Sequence, residues 1–246
     1  MVSVYYDLHI HTALSPCAND DMTPNDIVRM AILNGLDMIA VTDHNTFANA
    51  ESVVKAAKSA QVQGGKEIIV LPGIEVSTAE EVHVLCLFHD IETALEFEAD
   101  LFPYFSGLQN RIHIFGNQII YDENDRVTGE LERMLIAPAS ISFDNLYLLV
   151  HKHEGAFIPA HIDRSSFSLL SNLGFLPPHL DIGTLEVSQK GANNGFYEHN
   201  KEVYSKNKVI FSSDAHQLWT INERENVLLL PERNSRAAID YFQSSY

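Results

Sequence analysis

The chain has 246 residues, of which 46% are hydrophobic and 20% are charged, so it can bury the core of one large domain or of two small ones. Its 12 Gly and 9 Pro exclude a collagen-like or low-complexity chain. The 16 basic residues against 33 acidic residues give a net charge of −17. This charge disfavours long nucleic acid as a partner, because binding to that polyanion depends on Lys and Arg.

The cellular setting is suggested by what the sequence lacks. The first residues, MVSVYYDLHIH, contain neither the basic stretch nor the apolar stretch of a secretory signal. Apolar runs stay shorter than the roughly eighteen residues of a membrane span, so no membrane partner is expected. Two cysteines cannot form a disulfide framework, which favours a reducing compartment. We therefore expect a cytoplasmic protein, whose oligomeric state the sequence does not specify.

Short apolar runs alternate with helical patterns along the chain, which predicts an α/β fold built of parallel βαβ units. The first helix is predicted to begin at Thr23, since Thr is a good N-cap and Pro24 suits the first helical position, and to end at Gly35. A second helix is predicted near 48–61. Seven strands are predicted, at 2–8, 36–41, 68–71, 82–88, 156–160, 184–187 and 209–211.

The stretch 90–154 interrupts this alternation between the fourth and fifth predicted strands. It contains helical patterns at both ends and a hairpin-like segment at 117–127 between them. Long excursions from a compact α/β domain usually serve the face that carries the active site. We therefore predict a single domain over 1–246, with a small cap subdomain inserted at 90–154.

Histidines and carboxylates recur at the ends of the predicted strands. The first strand ends in Asp7-Leu8-His9-Ile10-His11, and in an extended segment the Asp and both His residues share one face. His83 lies in the fourth strand. The other strand ends carry Thr42-Asp43-His44, Pro72-Gly73-Ile74-Glu75, Pro159-Ala160-His161 and Ser213-Asp214-Ala215-His216. Because the carboxyl ends of parallel strands meet in α/β folds, we expect these side chains to converge.

So many buried ionisable groups would be very costly without a cation, and divalent metal ions supply one. The sequence therefore predicts a multinuclear metal site at the strand ends. The segment His151-Lys152-His153 repeats the spacing of His9-Ile10-His11 in a helical pattern, where residues two apart point in nearly opposite directions. This second pair is not expected to bind metal. Cys17 lies close enough to the first motif to reach a metal, but it is not counted among the expected ligands.

In this order and combination, the motifs resemble the polymerase and histidinol phosphatase (PHP) family of metal-dependent phosphoesterases, over nearly the whole chain except the insertion. The resemblance implies a distorted seven-stranded (β/α)7 barrel. It also implies a site for two to three divalent ions of Mn, Fe or Zn. An inserted cap at this position is similar to the branch of the family that acts on small phosphorylated molecules, nucleotides included.

The metal ligands that the resemblance implies fall into three groups. The first ion would be bound by His9, His11, Glu75 and Asp214. Glu75 would bridge to a second ion, which would also be bound by His83 and His161. The third ion would be bound by His44, His216 and an acid from the loop after the first strand, with Asp20 preferred over Asp21.

Further residues are expected to act around the metals. Asp7 and Asp43 would orient histidines, whereas Glu186 either does the same or is an ordinary strand-end acid. Arg164, three residues after His161, would contact the substrate phosphate. The metals would activate a bridging water as hydroxide, which predicts a hydrolase of small phosphomonoesters or nucleotide phosphates. An exonuclease that trims short oligonucleotides and a non-catalytic metal-sensing or regulatory module are the alternatives.

Overall fold

The computed structural model describes residues 1–202 and 204–244, and a six-stranded sheet lies at its centre. In spatial order its strands are β10 (Val227–Leu230), β1 (Val2–Ile10), β2 (Met38–Val41), β3 (Ile69–Ser77), β4 (His83–Leu87) and β7 (Ala156–Pro159). Two further pairs are β5 (Ile119–Tyr121) with β6 (Val127–Glu130), and β8 (Thr184–Ser188) with β9 (Lys208–Ser212). A strand is present at each of the seven predicted positions.

Strand directions differ in part from the parallel units that the sequence predicts. β1, β2 and β3 are mutually parallel, and β8 is parallel to β9. β4 runs antiparallel to both β3 and β7, so the wholly parallel expectation is wrong there. The reason is the short connection 78–82, because a parallel crossover needs about a dozen residues or more. His83, the first residue of β4, therefore pairs with Ser77 at the carboxyl end of β3.

The β8–β9 pair joins the two sides of the large sheet. After β7, the Ile162 N–H donates to the Glu186 carbonyl of β8 at 2.9 Å. After β1, the His11 N–H donates to the carbonyl of Ala215, which follows β9, also at 2.9 Å. The sheet is therefore curled, so that the carboxyl ends of β1, β3, β7 and β9 face a common centre.

Helix α1 (Pro24–Leu33) begins as predicted, with the Thr23 hydroxyl accepting from the Asp26 N–H. Gly35 follows it at φ +78°, a conformation that glycine adopts without strain. The other helices are α2 (Ala50–Val62), α3 (Ile91–Leu101), α4 (Ile112–Phe115), α5 (Phe143–Lys152), α6 (Leu169–Asn172), α7 (Gln189–Asn193), α8 (Phe196–Asn200) and α9 (Ser235–Gln243). Within the described ranges, none of these helices has both the length and the apolar character needed to cross a membrane.

Helices α3 and α5 lie at the two ends of the predicted insertion and pack against the sheet. Phe97 of α3 and Leu146 of α5 are buried in the same hydrophobic cluster as Val84 and Phe157 of the strands. Between the helices, the antiparallel β5–β6 hairpin forms where the sequence predicts one. The division of the chain into a barrel and a cap stays a prediction.

Candidate metal centre

Eight of the nine predicted metal ligands lie together at one edge of the curled sheet. They come from the ends of β1 and β3, the start of β4, and the residues that directly follow β2, β7 and β9. All are buried or half-buried. They are His9, His11, His44, Glu75, His83, His161, Asp214 and His216.

The first group of ligands comes from three elements. His9 Nε2 and His11 Nε2 lie 3.2 Å apart. Asp214 Oδ1 lies 3.2 Å from the former nitrogen and 3.1 Å from the latter. The two Glu75 oxygens lie 3.4 Å from the same nitrogens, Oε1 from His9 and Oε2 from His11. The two histidines of β1 thus share one face, as the alternation of an extended strand predicts.

Hydrogen bonds behind His11 determine which of its nitrogens carries the proton. Ser15 Oγ donates to Asp43 Oδ1 at 2.7 Å and accepts from the His44 N–H at 3.1 Å. Its remaining lone pair therefore accepts from His11 Nδ1, which is 2.9 Å away. His11 Nε2 is consequently an unprotonated lone pair directed at the group. Asp43 is connected to this histidine through Ser15, and its predicted role in orienting the ring stays a prediction.

Glu186 orients His9 in the same way. Its buried Oε2 lies 3.0 Å from His9 Nδ1 and accepts from the His161 N–H at 2.9 Å. Because an ionised carboxylate only accepts, His9 Nδ1 donates this bond and Nε2 faces the group. Of the two roles left open for Glu186, the structure therefore favours the positioning role.

These acceptors create a need for positive charge. Burial opposes ionisation, yet His83, His9 and His44 hold the pKa of Glu75 well below its usual value. Against the effect of burial, Glu186, Asp214 and Glu75 raise the pKa of His9 well above its usual value. Within the described part of the chain, Glu75 Oε2 accepts no hydrogen bond although it is buried. A divalent ion satisfies all of these demands, so the residues fit the metals that the motifs imply.

Glu75 also belongs to a second group. Its Oε1 lies 2.8 Å from His83 Nδ1 and 3.1 Å from His161 Nε2. Burial lowers the pKa of His83, which favours the neutral imidazole that binds metals. One carboxylate thus contacts both groups of histidines, as a ligand that bridges two ions would. The bridging role itself stays a prediction.

A third group consists of His11, His44 and His216, from which three ring nitrogens lie within 4.8 Å of one another. His216 Nδ1 donates to the Asp214 carbonyl at 2.8 Å, so its Nε2 is the nitrogen directed at the group. That Nε2 lies 3.1 Å from the sulfur of Cys17. Burial alone would raise the pKa of the Cys17 thiol, but His216 and His44 lower it to about 7. Cys17, which was not counted among the expected ligands, thus contacts this group through His216.

Asp20, the acid preferred as a ligand of the third ion, lies outside the cluster, and the expectation is corrected here. Its exposed carboxylate accepts from Asn117 Nδ2 at 3.2 and 3.0 Å. The Tyr121 hydroxyl donates to its backbone carbonyl at 3.1 Å. Both partners belong to the insertion, so Asp20 connects the loop after β1 to the insertion. Asp21 is exposed as well.

Asp7 also differs from expectation, because its partners are not imidazoles. Its carboxylate accepts from the Ser213 N–H at 3.0 Å, the Ser213 hydroxyl at 2.6 Å and the Asn222 N–H at 2.9 Å. Ser213 directly precedes Asp214. Asp7 therefore positions the segment that carries a carboxylate ligand, whereas the sequence predicts that it orients a histidine.

Arg164 lies at the rim of the cluster. Its Nη2 is 2.6 Å from Asp214 Oδ2, so the guanidinium pairs with a predicted ligand. The Arg164 side chain is 42% exposed, which leaves part of its donor fork accessible from solution. Its predicted contact with substrate phosphate stays a prediction.

Three residues at this edge have a left-handed backbone conformation. The backbone φ angles of His161, Asp214 and Phe167 are +30°, +53° and +54°. Residues other than glycine rarely adopt this region of φ. The Phe167 ring stacks on His83 with centroids 4.9 Å apart, and the residue is 47% exposed. An exposed aromatic ring held in a strained backbone beside a predicted ligand points to a role at the site.

Sequence reasoning missed Ser15 and Phe167, and it did not count Cys17 among the ligands. Ser15 and Cys17 lie four and six residues after His11, in a loop where spacing carries no periodic meaning. The only available signal was their closeness to the first motif. For Phe167 the sequence contains no signal, because its place beside His83 depends on a contact between distant segments.

Comparisons with known proteins agree with this arrangement. A family model described as PHP domain matches residues 7–214. The 5'-3' exoribonuclease Rnm of Salmonella typhimurium (strain LT2) is 34% identical over 92 residues, which are 36% of this chain and 29% of that protein. The matched part of the chain thus spans less than a third of the length of this relative.

Two solved structures share the fold. The lesion-specific endonuclease PfuEndoQ from Pyrococcus furiosus matches with a TM-score of 0.67 and 17% identity, over 98% of this chain and 56% of that chain. Endonuclease Q in complex with a 27-mer duplex substrate gives a TM-score of 0.65 and 17% identity, over 97% and 56% of the two chains. Since the family model covers most of the sequence, from the first motif to Asp214, this chain belongs to the PHP domain family.

Proposed function

We propose that this chain hydrolyses phosphate esters on small molecules, phosphomonoesters or nucleotide phosphates, with two to three divalent ions of Mn, Fe or Zn. One observation carries the proposal. In the first group of ligands, two imidazole Nε2 atoms and two carboxylates face one another, and the Nδ1 atom of each imidazole makes a buried hydrogen bond on the opposite side of the ring. Such a set of buried acceptors is costly unless it surrounds cations.

Divalent ions held there would supply a water of lowered pKa and positive charge for the phosphate oxygens. The chain determines where this chemistry takes place. His9 and His11 present their Nε2 atoms inward because Glu186 and Ser15 accept from their Nδ1 atoms. Glu75 contacts both groups of histidines and would hold ions bound by either group.

The loop after β7 supplies the substrate contacts. Arg164 offers a planar fork of donors that suits a phosphate group. Its ion pair with Asp214 holds the guanidinium next to the first group of ligands. Phe167, on the same loop, offers an exposed ring on which a nucleobase can stack. A phosphate contact and an aromatic surface on one loop support a nucleotide-sized substrate.

We also propose that the curled sheet is a seven-stranded barrel with residues 90–154 as a cap over its active face. The β8–β9 pair supports closure because hydrogen bonds join it to both sides of the sheet. The insertion reaches the loops that carry ligands: Arg133 Nη2 donates to the Asn45 carbonyl at 2.9 Å, next to His44.

Both cysteines are free thiols, which supports a cytoplasmic location.

A nuclease that trims short oligonucleotides is the second candidate. The observation that favours it is the relative from Salmonella typhimurium, which is named as a 5'-3' exoribonuclease. Hydrolysis of a phosphodiester needs the same metals and the same phosphate contact as hydrolysis of a monoester. The net charge of −17 opposes a long polyanion, so we propose that no long nucleic acid is bound.

The test is a substrate panel given to the full chain after reconstitution with Mn²⁺, Fe²⁺ or Zn²⁺ in separate samples. The panel contains an aryl phosphate, a nucleoside monophosphate, a nucleoside bisphosphate, a short oligonucleotide and a long single-stranded RNA. Glu75→Gln keeps the shape of the side chain but removes a charge from two ligand groups, so it should abolish turnover. Arg29→Gln, which alters an exposed charge on α1, is the matched control and should behave like the wild type.

Faster turnover of the monophosphate and bisphosphate than of both nucleic acids supports the proposed function. Stepwise shortening of the short oligonucleotide, with little release of phosphate from the nucleotides, establishes the second candidate instead. Uptake of metal without turnover of any substrate contradicts both and leaves a metal-sensing module.

A further inference from the structure

Cys17 lies in the loop that follows β1, beside the third group of histidines. Its sulfur is 3.1 Å from His216 Nε2. Since His216 Nδ1 donates to the Asp214 carbonyl, Nε2 is the nitrogen that faces the sulfur. A ring nitrogen of a second imidazole, that of His44, lies within 4.8 Å of a ring nitrogen of His216. The thiol therefore occupies the place next to His44 and His216 for which the motifs imply an acid.

The position of Cys17 is determined by bonds on both sides of it. The Ala18 N–H donates to the Ser15 carbonyl at 2.9 Å, which closes a turn around Cys17. The Asn19 N–H donates to the His216 carbonyl at 2.9 Å, which joins this loop to the one that carries the histidine. Asp20 is turned the other way, toward Asn117 of the insertion. The loop thus brings its sulfur to the histidines and leaves its nearest carboxylate outside.

An independent observation points to a ligand at this place. Glu75 Oε2 is buried and, within the described ranges, accepts no hydrogen bond. It lies 2.9 Å from His44 Nδ1 and 3.4 Å from His11 Nε2, so it is directed at the same group of histidines. Burying a carboxylate oxygen among imidazoles without a well-formed hydrogen bond costs free energy, and a cation among these groups would remove the cost.

We propose that the Cys17 thiolate is a ligand of a third metal ion, together with His44 and His216. The inference rests on the metal centre of the proposed function and names one further ligand in it. Zinc bonds to sulfur at about 2.3 Å and to imidazole nitrogen at about 2.0–2.1 Å, which separates the two atoms by about 3.6 Å around a tetrahedral ion. The observed 3.1 Å is shorter than that value by about half an ångström, so the sulfur and the nitrogen would move apart by that amount when an ion binds.

A sulfur ligand changes which metals this position accepts. Thiolate is a soft ligand that prefers zinc, iron and cobalt, whereas manganese and magnesium prefer oxygen. The other two groups contain only imidazole and carboxylate. The third ion should therefore be zinc-like even in protein whose first two positions hold manganese.

The test uses Co²⁺, because a thiolate ligand adds a sulfur-to-cobalt charge-transfer band in the near ultraviolet, apart from the visible bands of bound cobalt. The metal-free full chain is titrated with Co²⁺ as wild type, Cys17→Ser and Cys86→Ala. The chain has only these two cysteines, and Cys86 is buried in β4 on the face away from His83, so it is the matched control. Circular dichroism and the visible bands verify that each variant is folded and binds cobalt.

The band should appear in wild type and in Cys86→Ala and be absent from Cys17→Ser. In Cys17→Ser, the affinity for the last ion bound should fall by at least about 10–100-fold. A loss of this size is typical when a residue that only hydrogen-bonds to a metal ligand is replaced, and replacing a ligand itself should cost no less. Binding of the earlier ions should stay within about twofold of wild type, a tolerance well below that loss.

Wild-type protein that binds cobalt without the charge-transfer band, or a band that persists in Cys17→Ser, would overturn the inference and leave the proposed function intact. Absence of the visible cobalt bands from the wild type would contradict the metal centre itself, and the inference with it. If Cys86→Ala does not fold, Cys86→Ser replaces it, since either change removes the second sulfur.

Discussion

Two histidines separated by one residue occur at the end of β1 and again at the end of α5, and the two pairs differ in what their nitrogens meet. In β1, the Nε2 atoms of His9 and His11 lie 3.2 Å apart. At the end of α5, His151 Nδ1 donates to the Tyr147 carbonyl at 2.9 Å, and His153 Nε2 lies 2.9 Å from Asp100 Oδ2. A strand places alternate residues on one side, whereas a helix turns each residue by about 100°.

A second difference lies behind each pair. His9 and His11 are fully buried, and their Nδ1 atoms bond to the buried side chains of Glu186 and Ser15. The Asp100 side chain that meets His153 is 42% exposed, so water competes for it. A chelating pair thus requires both the extended backbone and protected partners that fix the tautomers. Spacing along the chain is not sufficient.

The largest expected effect comes from removing one histidine of each pair. His9→Ala deletes a nitrogen of the first group, so the chain should lose one ion and about 10²–10³-fold of its turnover, the scale of losing one strong electrostatic contact. His151→Ala should change neither. Elemental analysis and phosphate release measure the two effects. Equal loss of metal from both variants would mean that the helical pair also chelates.

The next effect tests an ion pair at the strand ends against one on a helix. Arg164→Ala removes the guanidinium beside Asp214 and should lower kcat/KM. The decrease should correspond to a loss of about 1.5–3 kcal/mol of transition-state stabilisation, the value of a charge-assisted hydrogen bond. Metal content should not change. Arg164→Lys should recover only part of the loss, because an ammonium group lacks the planar fork.

Arg29→Ala, which breaks an exposed pair with Asp26 on α1, is the matched control and should leave kcat/KM unchanged. If Arg164→Ala and the wild type had the same kcat/KM on a nucleotide and on an aryl phosphate, Arg164 would not contact the substrate phosphate.

The partners behind the two histidine pairs give the third effect. Ser15→Ala removes the acceptor of the His11 Nδ1 proton, so metal affinity should fall by about 10–100-fold. Asp100→Asn removes the matching partner of His153 and should leave metal affinity unchanged. Competition with a chelator measures both affinities. If Ser15→Ala binds metal as tightly as wild type, another contact holds the tautomer of His11.

The smallest effect concerns Phe167, which stacks on a histidine of the strand ends. Phe167→Ala should lower kcat/KM about fivefold on a nucleotide, corresponding to about 1 kcal/mol of base stacking. It should spare an aryl phosphate. Tyr147→Ala, which removes the ring beside His151, is the control and should affect neither substrate. Equal loss on both substrates would indicate that Phe167 supports His83 and does not contact a base.

Much of the candidate site could be predicted from local patterns. Alternation in β1 was enough to place His9 and His11 on one face, and the same rule correctly separated His151 from His153. The seven predicted strands all form, because each is a short apolar run next to residues that favour turns. The order of the motifs was enough to identify the family that the family model matches.

The direction of β4 was predicted wrongly, although the sequence contained the information needed to predict it. The expectation of parallel strands was wrong there. The connection 78–82 has five residues, which are too few for a crossover helix, so the length of this connection was enough to predict an antiparallel β4. The outcome still brings His83 to the ligands, because an antiparallel strand places its first residue at the carboxyl end of its neighbour.

The strands, the shared face of the histidines in β1 and a site for cations could be predicted from the sequence, because they depend on local periodicity and on the cost of buried charge. The contacts of Cys17 with His216, of Asp20 with Asn117 and of Asp7 with the Asp214 segment could not be predicted in this way, because they form only in the folded chain. These contacts join loops that lie far apart along the chain. A loop has no period from which its side-chain directions follow, so its partners are known only once the strands have packed.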